Sequence, residues 1–496
     1  MKNIRMFVSL FLVFAMLTAL LSCAETKTEE SKTTETEKAT ETEEIETEKP
    51  YEVVDLNGEE INVFGTERFW EMNTVLLVDP ETDAGEEALN EAIYKRNLWV
   101  EENFNVTLKE SRYDIAATGA FDNYIALARS LITAGDDTYD CMYLNIRTAT
   151  SFITDGSLYD LNKIDELKLE EEYWDQLIVN AAKIKDKVYF ATSPAHMMAT
   201  DCCWCLFFNE ELIDEFNLEM PYESVKDGSW TIDKFFEYAV AGTQINGDSA
   251  EWVDGNTNIY GISAHPYFPM HCMVGLNQPY IIAQGDEFIS NYTTEKFFDT
   301  FDKIQQTLIT DCTLWAETTD SLDISEGGYL AVFANHQALF LTGEVKASLQ
   351  LRSMDDTFGI LPLPKYDENQ EEYISSTTRD FLSFTIPVTN KHPEIVATVF
   401  DAMSYKGYES VLPVYYETTV EQKGLRNEES LEMLQYIKDG KTVDPGILFA
   451  FCSDLSTSMQ TILWTDKAVT KSTITSAESK ITASIEKFLS FYADEE

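Results

Sequence analysis

The stretch Asp201-Cys202-Cys203-Trp204-Cys205-Leu206-Phe207-Phe208-Asn209 decides how this chain is read. From Cys202 to Phe208 it is apolar, short and free of Gly and Pro, the pattern of a strand buried on both faces of a sheet. Asn209-Glu210-Glu211 then supply a helix cap and first-turn acids. Asp201 sits just ahead of the strand, where a carboxylate is costly unless it is paired or open to water. The stretch reads either as a crossover between two lobes with Asp201 near their cleft, or as a core strand preceded by an ordinary loop.

Upstream, Glu59 to Gly65 alternates and ends in Gly, as a first strand would. Helical spacing follows over Glu86–Asn103, a strand over Phe104–Leu108, a helix over Phe121–Ala134 and a strand over Tyr139–Leu144. This alternation predicts a mainly parallel sheet with right-handed crossovers, in which ligands sit at the carboxyl ends of strands. Asn145, Ile146 and Arg147, just after Leu144, are thereby promoted, as is the loop after Phe64 that carries Trp70. Downstream, Ala338–Gly343 reads as a second buried strand closed by Gly343 ahead of Glu344. Between them, Ser263–Gln278 offers His265, Tyr267, Phe268 and His271 as cleft lining or as ordinary packing.

The ends of the chain have a different character. Lys2 and Arg5 precede an apolar run from Met6 to Leu21, a secretory signal too short for a comfortable membrane span. Leu20-Leu21-Ser22-Cys23 resembles the bacterial lipobox, which implies cleavage after residue 22 and diacylation of Cys23. Ala24 to Pro50 is almost entirely Thr, Glu, Ser and Lys, a disordered tether that cannot bury enough apolar surface to fold. The total charge of −51 belongs mostly to the body that follows, not to the tether. Such a charge repels nucleic acid and anionic lipid, and suits a neutral or cationic ligand.

The body is long enough for two lobes with substantial cores. Seven cysteines follow Cys23 (Cys141, Cys202, Cys203, Cys205, Cys272, Cys312, Cys452), an odd number with no suggestion of a disulfide framework. Cys202, Cys203 and Cys205 alternate along a strand and cannot all face one metal. They read as small buried hydrophobes, with a single disulfide left open. No Gly-x-Ser-x-Gly, no His-Glu-x-x-His and no phosphate-binding loop occurs, and five scattered histidines offer no metal set. No cofactor, metal site or catalytic residue is expected.

Tyr139-Asp140 with its strand, Gly156-Ser157-Leu158-Tyr159-Asp160-Leu161, Asp186 to Ala191, Phe207 to Leu212, Gly228 to Phe235 and Phe358 to Tyr366 occur in an order that resembles the extracellular solute-binding proteins of ABC importers, particularly the carbohydrate-binding type. The resemblance implies an α/β, two-lobed type II periplasmic-binding-protein fold whose lobes are joined by hinge crossings and close on ligand. It implies residues 51–199 plus 358–388 as the first lobe and 200–357 plus 389–496 as the second. It further implies capture of an oligosaccharide by a monomer tethered outside the cell, and delivery to permease subunits. The expected ligand-binding residues are Trp70, Tyr143, Asn145, Arg147, Asp201, Trp204, Phe268, Glu344 and Phe449. Aromatic faces would stack on sugar C–H faces and the polar groups would meet hydroxyls. The rival readings are a peptide or polyamine binder, a surface-anchored glycan hydrolase, and a sensor or adhesin.

Overall fold

The computed structural model describes residues 51–67, 76–79, 87–114, 120–196, 202–247, 249–252, 255, 257–315, 328–379, 381–416, 427–465 and 467–493. Trp70, Asp201, the leader, Cys23 and the tether lie outside these residues.

The strands are β1 (Glu59–Thr66), β2 (Val106–Tyr113), β3 (Cys141–Asn145), β4 (Trp204–Asn209), β5 (Tyr260–Ala264), β6 (Ile281–Gln284), β7 (Glu287–Ser290), β8 (Thr313–Trp315), β9 (Ala338–Glu344), β10 (Phe358–Pro362), β11 (Ser375–Ser376), β12 (Leu382–Thr385) and β13 (Lys441–Thr442). The helices used below are α1 (Glu87–Phe104), α2 (Ala120–Ala134), α3 (Ile146–Thr154), α4 (Gln176–Ala182), α5 (Tyr222–Lys226), α6 (Ile232–Ala241), α7 (Phe268–Gly275), α8 (Glu295–Leu308), α9 (Pro393–Ser410), α10 (Glu428–Asp439), α11 (Ser453–Thr465) and α12 (Glu478–Ala493).

Two sheets organise the body. The first has the order β12-β3-β1-β2, with β1 parallel to β2 and β3 and β12 antiparallel to β3. The second has the order β10-β4-β9-β5-β8, with β5 parallel to β8 and β9 and β4 antiparallel to β9 and β10. The apolar run expected from Cys202 to Phe208 forms β4, buried at every position. Asn209 caps the helix that follows through its side chain, which accepts from Leu212 N. The expected α1, α2 and β3 stand within two residues of their predicted bounds.

One boundary differs from expectation. Phe358–Pro362 does not cross to the first sheet; it pairs with β4 at the edge of the second. An evenly apolar run suits either sheet, and close packing selects this one. A Cβ at Gly359 would lie 2.3 Å from the Phe208 ring and 2.2 Å from the Tyr222 hydroxyl, so only glycine lets β10 sit there. The return to the first sheet comes later, between Thr377, bridged to Cys203, and β12. Likewise α9, expected in the second lobe, packs on α1. Its buried Asp401 accepts from Trp174 Nε1 (3.0 Å), Tyr173 OH (2.8 Å) and Lys168 N (2.9 Å). The carboxylate is fully sheltered yet saturated with donors, which offsets its desolvation.

The last described helix touches parts of the chain far apart in sequence. α12 packs on α3, and Phe488 joins Phe288, Phe449 and Phe451 in one aromatic cluster, with centroids 4.7 to 6.4 Å apart. Phe190 reaches Phe449 at 6.3 Å, and Tyr492 meets Tyr189 edge-on. All seven described cysteines are buried thiols, as small hydrophobes would be. No described helix is long and apolar enough to cross a membrane.

Candidate functional site

In the second sheet, β9 runs to Glu344 while antiparallel β4 starts at Trp204, so register places Trp204 opposite Glu344. β5 ends beside them and delivers His265, whose backbone N–H donates to Thr342 Oγ1 (2.8 Å). One edge of the sheet thus gathers Trp204, His265, Glu344 and Lys346, with Tyr329 against His265. The Trp204 ring stacks on His271 (4.4 Å, 13°) and meets His265 edge-on (5.1 Å). Tyr329 meets His265 at 5.0 Å, also edge-on.

Glu344 and Lys346 form an ion pair whose side chains are 11% and 16% exposed. Burial pulls the Lys346 ammonium down, but Glu344 outweighs it and holds the group well above the ordinary lysine value. His265 is pushed to about 3 by burial, with Lys346 adding to the effect. Burial drives His271 down further, and its Nδ1 lies 2.8 Å from Ser376 Oγ. Both imidazoles are therefore neutral at any physiological pH. Trp204 Nε1 and His271 Nε2 are buried polar atoms with no hydrogen-bond partner among the described residues.

In the first sheet, Asn145 ends β3 and its Oδ1 accepts from Arg147 N (3.0 Å), so this side chain serves as the cap of α3. Arg147 is half-buried in the first turn, and Thr150 donates to Phe449 O (3.2 Å). Two buried charges, Arg96 and Glu110, and the half-buried Arg112 hold Leu76, Leu77, Pro194 and Ala195. Glu110 accepts from Leu76 N and Leu77 N (3.0 Å each). Arg96 donates to Leu76 O (2.9 Å), Ala195 O (2.6 Å) and Pro194 O (3.2 Å). Arg112 pairs with Glu110. Burial lowers Arg96 to about 10 and raises Glu110.

The expected residues therefore divide. Trp204 and Glu344 come together through strand register, and Asn145 and Arg147 stand at the start of α3. Tyr143 is packed on His196, Phe384 and Phe400; Phe268 is packed against Phe235; Phe449 lies in the aromatic cluster. These three are buried side chains with apolar neighbours. Trp70 and Asp201 fall outside the described residues. Lys346 and Tyr329 were not expected; a lysine two positions past Glu344 was the one available signal for the first, and nothing local marked the second. Among the described residues no group of three or more His, Cys, Asp and Glu is placed to hold a metal.

No protein-family model matches the sequence, and no curated protein matches it either. Solved structures do. The galacto-N-biose-/lacto-N-biose I-binding protein of an ABC transporter from Bifidobacterium longum, in complex with lacto-N-biose, superposes with a TM-score of 0.58 at 14% identity, over 88% of this chain and 98% of that one. An ABC substrate-binding protein from Listeria monocytogenes in complex with cycloalternan gives 0.53 at 13%, over 88% and 100%. A cyclo/maltodextrin-binding protein complexed with maltotetraose gives 0.56 at 11%, over 87% and 97%. The fold is the two-lobed periplasmic-binding-protein fold. In that fold the two sheets belong to separate lobes; the Trp204–Glu344 edge is the carboxyl end of the parallel strands β5 and β9, and α3 starts at the carboxyl end of β3, the ends at which an α/β fold places ligand sites.

Proposed function

We propose that this chain is an extracellular substrate-binding protein that captures a carbohydrate, in the first instance an oligosaccharide, between its lobes and hands it to the permease subunits of an ABC importer. The observation that carries the reading is the match of nearly the whole body to solved receptors named for sugars, each matched over 97–100% of its own length. The Trp204 edge supports it chemically. Aromatic rings suit sugar C–H faces, and the Glu344–Lys346 pair offers both an acceptor and a donor to hydroxyls. Two neutral histidines and a carboxylate already matched by an ammonium suit a neutral ligand better than a polyamine. Trp70, Asp201, Asn145 and Arg147 belong to the proposed contact set, with Tyr143, Phe268 and Phe449 packed beneath it.

The reading is of a binder and not an enzyme. It extends to the ends of the chain: residues 1–22 are removed, Cys23 is acylated, and residues 24–50 tether a monomer to the outer face of the cytoplasmic membrane. Release of the Cys23→Ser protein into the medium tests the anchor. Thermal melting of the mature body with mono- and oligosaccharides, peptides and polyamines tests the ligand. A sugar at ~100 times its Kd adds about 2.7 kcal/mol and raises Tm by a few degrees. A shift with peptides or polyamines alone overturns the carbohydrate assignment, and sugar release from a glycan panel overturns the binder.

A further inference from the structure

Beside β10, where α5 and α10 both end, lies an open groove of about 460 Å³. Its lining falls within residues 225–228, 365–373 and 436–440, and none of it belongs to the Trp204 edge. At its floor is Lys365, only 4% exposed. The Lys365 backbone is fixed by Lys365 N donating to Trp230 O (3.0 Å) and Ile232 N donating to Lys365 O (2.8 Å). Its ammonium is fitted against glycine, since a Cβ at Gly228 (φ +80°) would lie 3.0 Å from Nζ. The Tyr373 ring lies 5.2 Å away, held by its hydroxyl donating to Val225 O (3.1 Å), and Tyr436 meets that ring edge-on at 5.8 Å.

Among the described residues this ammonium makes no hydrogen bond or ion pair, although two carboxylates, Asp227 and Asp439, also line the groove and Asp227 interacts electrostatically with Lys365. Lys226, also on the groove, is different: Glu223 and Glu432 already pair with it. A buried ammonium without an acceptor is costly, and here it faces a cavity large enough for a small molecule. The rim has the opposite charge. Glu371 and Glu372 are exposed, and no described residue partners their carboxylates. A net anion is repelled by this rim and by the charge of the whole chain, −51. A pure cation leaves the Lys365 ammonium without an acceptor.

We infer that this groove binds a small zwitterion of the α-amino acid class, its carboxylate on the Lys365 ammonium and its ammonium toward Glu371 and Glu372. The site is independent of the sugar reading, because it shares no residue with the Trp204 edge.

Calorimetry on the mature chain with L-alanine, L-glutamate, acetate and ethylammonium tests it. L-alanine should bind at least ~10-fold more tightly than acetate or ethylammonium, and L-glutamate, with its net negative charge, more weakly than L-alanine. Lys365→Met should weaken L-alanine by ~10-fold or more. The rim variant Glu371→Gln/Glu372→Gln, all surface, should bring L-alanine down toward acetate even if Lys365→Met fails to fold. Absence of L-alanine binding up to about 20 mM, or L-alanine binding unaltered in the rim variant, overturns the inference.

Discussion

The Glu344–Lys346 pair offers the sharpest test of the site's electrostatics. Lys346→Met removes the ammonium and leaves a carboxylate that is 11% exposed, opposite Trp204 in the sheet. Losing one partner of a buried pair costs about 3–5 kcal/mol because the survivor remains as an uncompensated charge. The remaining water contact at these two side chains brings the expectation to the lower end, about 3 kcal/mol. Glu344→Gln/Lys346→Met removes both charges and should recover most of that loss. Urea unfolding of the wild type, both single variants and the double variant closes the cycle. The pH dependence has a definite sign. Because Lys346 titrates above the ordinary value of 10.5 in the folded state, its contribution is complete below that pH and is lost as pH rises through the higher folded value. A single-variant loss under ~1 kcal/mol, with no coupling in the cycle, would refute the view that the pair is buried and interdependent.

Three further outcomes follow from the same geometry. Asp401→Ala leaves Trp174 Nε1, Tyr173 OH and Lys168 N without their acceptor and should lower stability by about 3 kcal/mol or more, read by denaturant melts; a change under ~1 kcal/mol would mean water replaces the carboxylate. With His265 held near 3 and His271 held well below the ordinary imidazole value by burial, ligand affinity should be flat from about pH 5 to 8, and an affinity step centred near pH 6.5 would show that one of them titrates in the free protein. Gly359→Ala drives a methyl into Phe208 and Tyr222 and should cost about 1–3 kcal/mol, with a melting temperature equal to wild type counting against the tight β10–β4 approach.

Much of the fold was legible because the sequence signals were local. An apolar run without Gly or Pro gives a buried strand, as at β4 and β9, and helical spacing gives α1 and α2 nearly to the residue. Membership in a sheet is not local. Phe358–Pro362 is apolar on both faces, so either sheet could bury it, and what decides is the room that Gly359 leaves for Phe208. The site shows the same limit. Trp204 and Glu344 were each legible as residues at strand ends, but their juxtaposition follows from antiparallel register across 140 residues of chain. Tyr143, Phe268 and Phe449 failed to separate from the core for the converse reason. An aromatic at a strand end satisfies the description of a ligand platform and of a packing residue equally well, and only neighbours such as His196, Phe235 and Phe488 distinguish them.

The aromatic cluster under α12 sets an order of assembly. Phe288, Phe449 and Phe451 wait for Phe488, and Tyr189 waits for Tyr492, a partner synthesised some 300 residues later. A nascent chain therefore holds an unfinished aromatic seam until α12 is made. A ribosome that stops short of α12 leaves that seam open and greasy, a target for chaperones and proteases.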